Sequence, residues 1–168
     1  GYDGPTPAAN VATGHTLVVR AVSVPDYLDR RDIVYRNGAV VGQFADAVWA
    51  ERPGKSITRY LAQALASQRS DYTVQALTTA SGVAPDVALS IVIDRFEADG
   101  GAAVQLRAGW TLTAPGKTLA AGRLQADVPL SAATAAATVA AMQKALSIAA
   151  ADLAQTLPGV AAVADKGP

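Results

Sequence analysis

The sequence predicts one α+β domain, a two-layer sandwich in which two helices cover one face of a mixed, largely antiparallel sheet. Its 168 residues are enough for one core. With 51% hydrophobic and 17% charged residues, the composition is typical of a folded chain. The hydrophobic pattern gives the order strand, hairpin, helix, strand, three-strand meander, helix. This order predicts that both helices cover the same sheet face.

The first part of the chain is predicted to form a central strand and a hairpin. The β-branched run from Leu17 to Val24 lacks helical spacing, which predicts a strand buried on both faces. Pro25 begins a charged turn that continues to Asp32, and residues 33–36 resume an extended pattern. Asn37-Gly38 is predicted to supply the two positive-φ positions of a tight turn.

The first helix is predicted to begin at Pro53, a residue suited to the first helical position. An apolar stripe at helical spacing follows it at Ile57, Tyr60, Leu61, Ala64 and Leu65. Residues 71–77 then predict a short strand.

The meander is predicted from two alternating runs and two turns. Residues 87–93 and 104–112 alternate apolar with polar or small side chains, which predicts one covered and one wetted face. Asp99-Gly100-Gly101 separates these strands, and Pro115-Gly116 fits a type II turn into a third strand, 117–128.

The closing helix is predicted to start at a Ser131 cap and to end at Leu157-Pro158-Gly159. Its apolar positions recur at helical steps, and Lys144 lies in its middle. This charge predicts an Ala-rich amphipathic helix packed on the sheet, not a membrane span. The expected organisation is a flexible leader over 1–15, the domain over 16–157 and a tail over 158–168.

Composition argues against several functional classes. The 14 basic and 14 acidic residues give zero net charge, so the basic excess of a nucleic-acid-binding protein is absent. There is no cysteine, and the one histidine, His15, lies in the predicted leader. Asp26, Asp29 and Asp32 lack the glycine and glutamate of a calcium loop. The sequence therefore predicts no enzyme, no metal site and no cofactor.

The segment from Val24 to Arg36 concentrates charged and aromatic residues. Tyr27, Leu28 and Tyr35 alternate there with three Asp and three Arg. The segment has two interpretations. One is a surface connection held by ion pairs; the other is a contact surface, since Tyr and Arg are enriched where interfaces carry their energy.

The run VPDYLDRRDIVYR, residues 24–36, resembles the hallmark V-P-x-Y-L-D-R-x-x-I-V-x-R of the ABC-type transport auxiliary lipoproteins, the PqiC-like family. A second block, Trp49-Ala50-Glu51 with Ile57 and Arg59, is similar to that family's W-A-E-P-L and I-x-R-x-L motifs. Arg52 departs from this pattern by standing between Glu51 and Pro53. The motif positions carried over by the resemblance are Pro25, Tyr27, Leu28, Asp29, Arg30, Tyr35, Arg36, Trp49, Glu51 and Arg59.

The resemblance implies a periplasmic domain tethered by lipid, usually to the outer membrane of a Gram-negative envelope. Such a protein is a non-catalytic partner of an ABC permease and ATPase and of an MCE-domain (mammalian cell entry) protein, and it helps to move lipids or apolar compounds. It implies an adaptor that works by docking and by possible self-assembly. The alternative is a direct carrier that holds an acyl chain between sheet and helices.

Overall fold

The computed structural model describes residues 15–37, 39–76 and 86–159. The strands are β1 (His15–Val19), β2 (Asp32–Asn37), β3 (Val40–Val48), β4 (Tyr72–Ala76), β5 (Val87–Asp99), β6 (Ala103–Ala114) and β7 (Lys117–Pro129). The helices are α1 (Pro53–Gln68) and α2 (Ala135–Thr156). The predicted leader and tail fall almost wholly outside the described residues, so the domain boundaries stay a prediction.

The sheet is organised around the long strand β5. One edge of β5 pairs along its length with β6, and β6 pairs in turn with β7. Both pairings are antiparallel. Its other edge is shared: β1 pairs in parallel with its beginning and β2 in parallel with its end. Strand β4 lies outside β1 in parallel, and β3 lies outside β2 antiparallel. The α+β fold class with a mixed, largely antiparallel sheet is confirmed.

Strand β1 is central, as predicted, but shorter than predicted. Leu17 and Val19 are fully buried between the neighbouring strands. Beyond Val19 the segment continues along β5, whereas the pairing of β1 with β4 is described as far as Val19 and Ala76. It is attached to β5 by backbone bonds from the amide of Arg20 to Leu89 (2.9 Å), from that of Ser23 to Ile91 (3.0 Å) and from that of Ile93 to Ser23 (2.8 Å).

Both helices pack on the same face of the sheet, as predicted. Helix α1 lies on β1 and β4, and α2 lies mainly on β6 and β7. The interior is filled by apolar side chains that are at most 2% exposed, among them Leu17, Leu65, Leu89, Ile91, Leu106, Leu112 and Leu153.

The buried stripe of α1 is rotated relative to the predicted one. Tyr60 is exposed, and Thr58 and Ala62 are buried instead. Thr58 Oγ1 accepts a bond from the amide of Val22 (2.9 Å) and donates one to the carbonyl of Gly54 (2.7 Å). The stripe turns towards Thr58 because its hydroxyl joins α1 to the segment after β1.

Two local predictions are wrong. Asn37 does not have a positive φ: it is the last residue of β2 and pairs with Val40, so the ladder runs one residue further than predicted. Gly38 lies outside the described residues. Helix α2 begins after Thr134, not Ser131, and Thr134 Oγ1 accepts the bond from the amide of Ala137 (3.1 Å). The turns at Gly100, Gly101 and Gly116 do have positive φ, at 65°, 73° and 80°.

Helix α2 ends as predicted, but the side chain that secures its end was not foreseen. Arg69, just after α1, donates hydrogen bonds to the carbonyls of Ala154 (2.9 Å), Leu157 (2.9 Å) and Pro158 (3.1 Å). Asp71 holds the same guanidinium through two bonds. A guanidinium here satisfies carbonyls that a helix end leaves unpaired. In the part of the chain that the structure describes, neither helix is long and apolar enough to cross a membrane.

Candidate functional site

The first motif block begins in the segment between β1 and β2, two strands that pair with the same edge of β5. We call this connecting segment the excursion. It turns at Pro25, whose carbonyl accepts bonds from the amides of Leu28 (2.9 Å) and Asp29 (3.0 Å). Leu28 is buried and anchors this turn in the core, whereas Asp29 is half-buried beside the start of α1. Pro25 and Leu28 therefore shape the excursion, and neither offers a reactive group.

Under this excursion lies a buried carboxylate, Glu97, on the sheet face opposite the helices. A register shift between Ile93 and Arg95 turns the end of β5 so that Glu97 pairs with Gln105 on that outer face. Its side chain is 0% exposed. Charged groups are buried only when they are paired and hydrogen-bonded, so the residues that cover Glu97 have a structural role.

Two motif residues cover Glu97. The hydroxyl of Tyr27 donates to Glu97 Oε1 at 2.6 Å, and Arg36 Nε donates to the same oxygen at 3.1 Å. The Arg36 guanidinium carbon lies 5.2 Å from the centre of the Tyr27 ring, a cation–π contact. Arg95 Nε lies 3.5 Å from the second oxygen, Oε2. The four side chains form one cluster, in which Glu97 Oε2 and Arg95 Nε are buried without a hydrogen-bond partner among the described residues.

The electrostatics of this cluster keep the Tyr27 hydroxyl protonated and the Arg36 guanidinium charged. Burial raises the pKa of Tyr27, and its hydrogen bond to Glu97 raises it further. Hydrogen bonding of its guanidinium, first to Tyr27 and then to Glu97, raises the pKa of Arg36. A tyrosine that holds its proton and an arginine that holds its charge are poor general bases, so this arrangement holds the excursion onto the sheet and is not set up for proton transfer.

The exposed arginines of the first block link it to its neighbours. Arg30 Nε donates to Asp32 (2.8 Å), and its Nη2 donates to Gln43 on β3 (3.1 Å). The carbonyl of Arg31 accepts a bond from the amide of Trp49 (2.6 Å), and Arg31 Nε donates to the carbonyl of Trp49 (3.1 Å). The two motif blocks are thereby joined directly.

Tyr35 is the motif residue that faces the helix side. Its ring packs against Phe44 with 5.0 Å between centroids. It also lies over Gly42, its partner across the β2–β3 ladder, where an added Cβ would come 2.5 Å from Tyr35 Cζ. Tyr35 thus packs the hairpin and takes no part in the Glu97 cluster.

The second motif block forms the approach to α1. Glu51 accepts bonds from the hydroxyl of Ser56 (2.9 Å) and from the guanidinium of Arg59. The Ser56 hydroxyl and then Arg59 lower the pKa of Glu51. Pro53 is the first residue of the helix, as predicted, and is buried. Arg52, which departs from the family pattern, is the N-cap residue and is exposed.

Trp49 stands half-buried between two apolar depressions, each lined by residues of the sheet and of the helices. One, of about 640 Å³, lies between the start of α1 and α2 and has Phe96, Ile57 and Met142 in its wall. The other, of about 550 Å³, runs along the first half of α2. Trp49, Ala50 and Gln143 line both. We call these two adjoining depressions together the Trp49 trough.

Five of the predicted site residues therefore fall into two groups, and the hydrogen bonds between Arg31 and Trp49 join the two motif blocks to which they belong. Tyr27 and Arg36 hold a buried carboxylate on the outer sheet face; Trp49, Glu51 and Arg59 border the trough on the helix side. His15 lies 3.6 Å from Asp86 at the start of the sheet, away from both. No group of three or more potential metal ligands occurs among the residues that the structure describes.

Comparisons with known proteins agree with this architecture. The fold is similar to that of a Xanthomonas campestris protein of family DUF330 (TM-score 0.72, 20% identity, 83% of this chain and 81% of that chain). It is also similar to an uncharacterized protein (TM-score 0.73, 19% identity, 86% and 94%). The dodecameric PelC of Paraburkholderia phytofirmans is more distant (TM-score 0.54, 13% identity, 84% and 87%). At these identities the likeness shows the fold alone.

A search of curated proteins gives no match. A family model described as "ABC-type transport auxiliary lipoprotein component" matches residues 3–154. The match includes both motif blocks, every strand and most of α2. The chain therefore belongs to the family of ABC-type transport auxiliary lipoprotein components.

Proposed function

We propose that this family member is a non-catalytic adaptor of an ABC transporter that works with an MCE-domain protein. In this proposal it catalyses no reaction. It docks onto the partner that carries lipids or apolar compounds across a Gram-negative envelope. It would act in the periplasm, held at the outer membrane by its lipid.

The observation that carries this proposal is the joined surface of the two motif blocks. Exposed Arg30 directly precedes Arg31, whose bonds to the backbone of half-buried Trp49 connect the blocks. Arg and Trp are residues that dominate the energy of protein interfaces. A surface that combines a rigid aromatic with adjoining arginines is suited to binding a protein.

The pairing of the charged groups supports a role without catalysis. Three acids in or beside the two blocks are paired: Glu97 of β5 with Arg36, Glu51 with Arg59, and Asp32 with Arg30. Catalytic acids and bases are usually found in clefts, with a pKa tuned towards the working pH. Here the pKa of Glu51 is lowered and that of Tyr27 is raised, both away from neutrality.

We also propose that the chain self-associates. PelC, whose fold it shares, is a dodecamer. Strand β3 is an outer strand of the described sheet, and Val40, Val41 and Val48 on it are exposed. Exposed apolar residues on an outer strand favour pairing with another chain. Sedimentation velocity at several concentrations would test this proposal; a monomer at every concentration would overturn it.

Docking is tested with the purified MCE-domain protein of the same organism. We expect the chain to bind it, and Arg30→Glu to weaken binding at least about tenfold, because a charge reversal on the joined surface opposes a complementary partner. Lys117→Glu is the matched control: Lys117 is exposed at the start of β7, remote in the sheet from both blocks. Equal binding by all three proteins would contradict the proposed surface.

The alternative, a direct carrier, requires space for an acyl chain between sheet and helices. In the described residues that interior is occupied by fully buried side chains such as Leu17, Leu89 and Leu153. The open apolar space lies in the Trp49 trough, which the strand residues Ile33 and Phe96 line together with residues of both helices. The filled interior favours the adaptor over a carrier with a central cavity.

A further inference from the structure

The larger depression of the Trp49 trough is a groove between the two helices. Residues of α1 between Pro53 and Tyr60 and residues of α2 between Met142 and Leu146 form its sides, and Phe96 of β5 lies at its base. We call it the interhelical groove. From Pro53 to Tyr60, at the helical rise of 1.5 Å per residue, it extends about 10 Å, or two helical turns. Its volume of about 640 Å³ leaves room for bulky side chains.

The groove gathers the residue types that are common at protein interfaces. The cores of such interfaces are enriched in Trp, Tyr, Phe, Met and Arg. The chain has two Trp, two Phe, five Tyr and one Met in 168 residues. Four of these ten line this groove: Trp49, Tyr60, Phe96 and Met142. Phe96 and Met142 are buried, whereas Tyr60 is 36% exposed at the rim. The groove therefore has the composition of a site for the apolar side chains of another protein.

The lining leaves few hydrogen-bonding groups for an occupant. Glu51 accepts bonds from both Ser56 and Arg59, so these three side chains are already paired. The side chains of Tyr60 and Gln143 have no hydrogen bond among the described residues and remain for a partner. An extended segment would lose water from its amides and carbonyls here without enough new partners, which costs free energy. A helix bonds those groups within itself, so the groove is suited to a helix.

The charges beside the groove indicate the polar side of that helix. Helix α1 carries exposed Lys55 and Arg59 and no acidic residue, and the first half of α2 carries exposed Lys144 and no acidic residue. The acids nearby are both half-buried: Glu51 is bonded to Arg59, and Asp29 lies across the start of α1 in a separate depression. Exposed cations thus flank the groove on both helices. Acidic residues on the flanks of a docked helix would complement them.

We infer that the interhelical groove receives the apolar face of an amphipathic helix of the partner protein, with acidic residues on the flanks of that helix. This inference rests on the docking role proposed above and adds the kind of element that docks. It also gives the second motif block a part in binding, because Trp49 lines the groove and Arg59, held by Glu51, stands at its rim.

A photoreactive side chain at the rim identifies what enters the groove. The chain with Tyr60→p-benzoylphenylalanine is irradiated together with the purified MCE-domain protein of the same organism, and the linked peptides are sequenced by mass spectrometry. We expect the links to fall in a helical segment with apolar residues at i, i+3, i+4 and i+7 and acidic residues beside them. Gln63→p-benzoylphenylalanine, exposed on α1 outside the groove, is the control and should give far fewer links. Links mainly to an extended segment, to lipid or to a second copy of the chain would overturn the inference.

A charge placed in the groove tests the affinity. Tyr60→Asp opposes both the apolar contact and the acidic flanks, and we expect it to weaken binding of the MCE-domain protein at least about tenfold. Gln63→Asp adds the same charge to α1 outside the groove and should change the affinity less than about twofold. Circular dichroism establishes that both variants are folded. Equal affinities of these two variants would overturn the inference.

A second pair makes the same comparison on α2 and decides the question if Tyr60→Asp does not fold. Leu146→Asp changes a half-buried residue of the groove, whereas Ile148→Asp changes a residue that is 42% exposed outside it. We again expect at least about tenfold weaker binding for the groove variant alone.

Binding of the unmodified chain separates this inference from the proposed function. If the unmodified chain does not bind the MCE-domain protein, the docking role fails and the inference fails with it. If the chain binds and Arg30→Glu weakens binding, but the variants in the groove bind like their controls, the docking role stands and the groove assignment alone is refuted.

Discussion

The role of Tyr27 can be decided by removing one oxygen atom. Tyr27→Phe keeps the ring and its contact with Arg36, but deletes the hydroxyl that donates at 2.6 Å to the fully buried Glu97. A hydrogen bond to a charged group contributes about 1.5–3 kcal/mol. Because Arg36 still donates to the same oxygen, we expect the lower part of that range, about 1.5–2 kcal/mol.

Urea unfolding followed by circular dichroism measures this loss. For a chain of this size it corresponds to a fall in Tm of about 3–8 °C. Tyr60→Phe is the control: that residue is exposed on α1, and a change within about 0.5 kcal/mol is expected. If Tyr27→Phe unfolds like the unmodified chain while docking to the MCE-domain protein weakens, the structural reasoning is refuted and Tyr27 belongs to the contact surface.

Three further outcomes follow from the same contacts. Burial raises the pKa of Tyr27 and of Tyr72 above 10.0, so above that pH the unfolded chain loses these protons first and stability falls. Tyr72→Phe should flatten the decline above about pH 10 in pH-dependent melts, and parallel curves would contradict this. Arg69→Leu should cost about 2–3 kcal/mol in urea unfolding and speed amide exchange in the last turn of α2; unchanged exchange there would argue against the contact. Gly122→Ala should destabilise by about 1–3 kcal/mol, since its Cβ would lie 2.8 Å from Trp110 Nε1, and a neutral result in thermal melts would show that the indole can move.

Much of the fold could be predicted because it depends on local patterns. The alternation of β6 and the turns at Gly100 and Gly116 are properties of short segments, and they appear as predicted. The Ser131 cap was wrong because Thr134 offers the same hydroxyl a few residues later. A capping hydroxyl can be recognised in a sequence, but which of two nearby hydroxyls caps the helix depends on where β7 ends.

The candidate site was less accessible, because its key contacts join distant segments. Glu97 comes after the alternating residues 87–93, and from the sequence it is expected to face solvent. Its burial depends on Tyr27 and Arg36, which are far away in the chain. The only signal was the first motif block itself, with its unusual density of Tyr and Arg. Trp49 was predicted as a motif position, but the trough beside it depends on the distance between two helices, which no local pattern encodes.

The shared edge of β5 also has a consequence for the order in which the protein assembles. β5, β6 and β7 join through short turns and can form early, and β2 can pair with β3 as a hairpin, but this hairpin and the β1–β4 pair have no common strand until the later-synthesised β5 is present. The single sheet must therefore wait for β5 during synthesis or export. Until then one edge of the apolar run at Leu17 to Val19 lacks its partner, so a factor that shields the emerging chain would be needed most at its beginning.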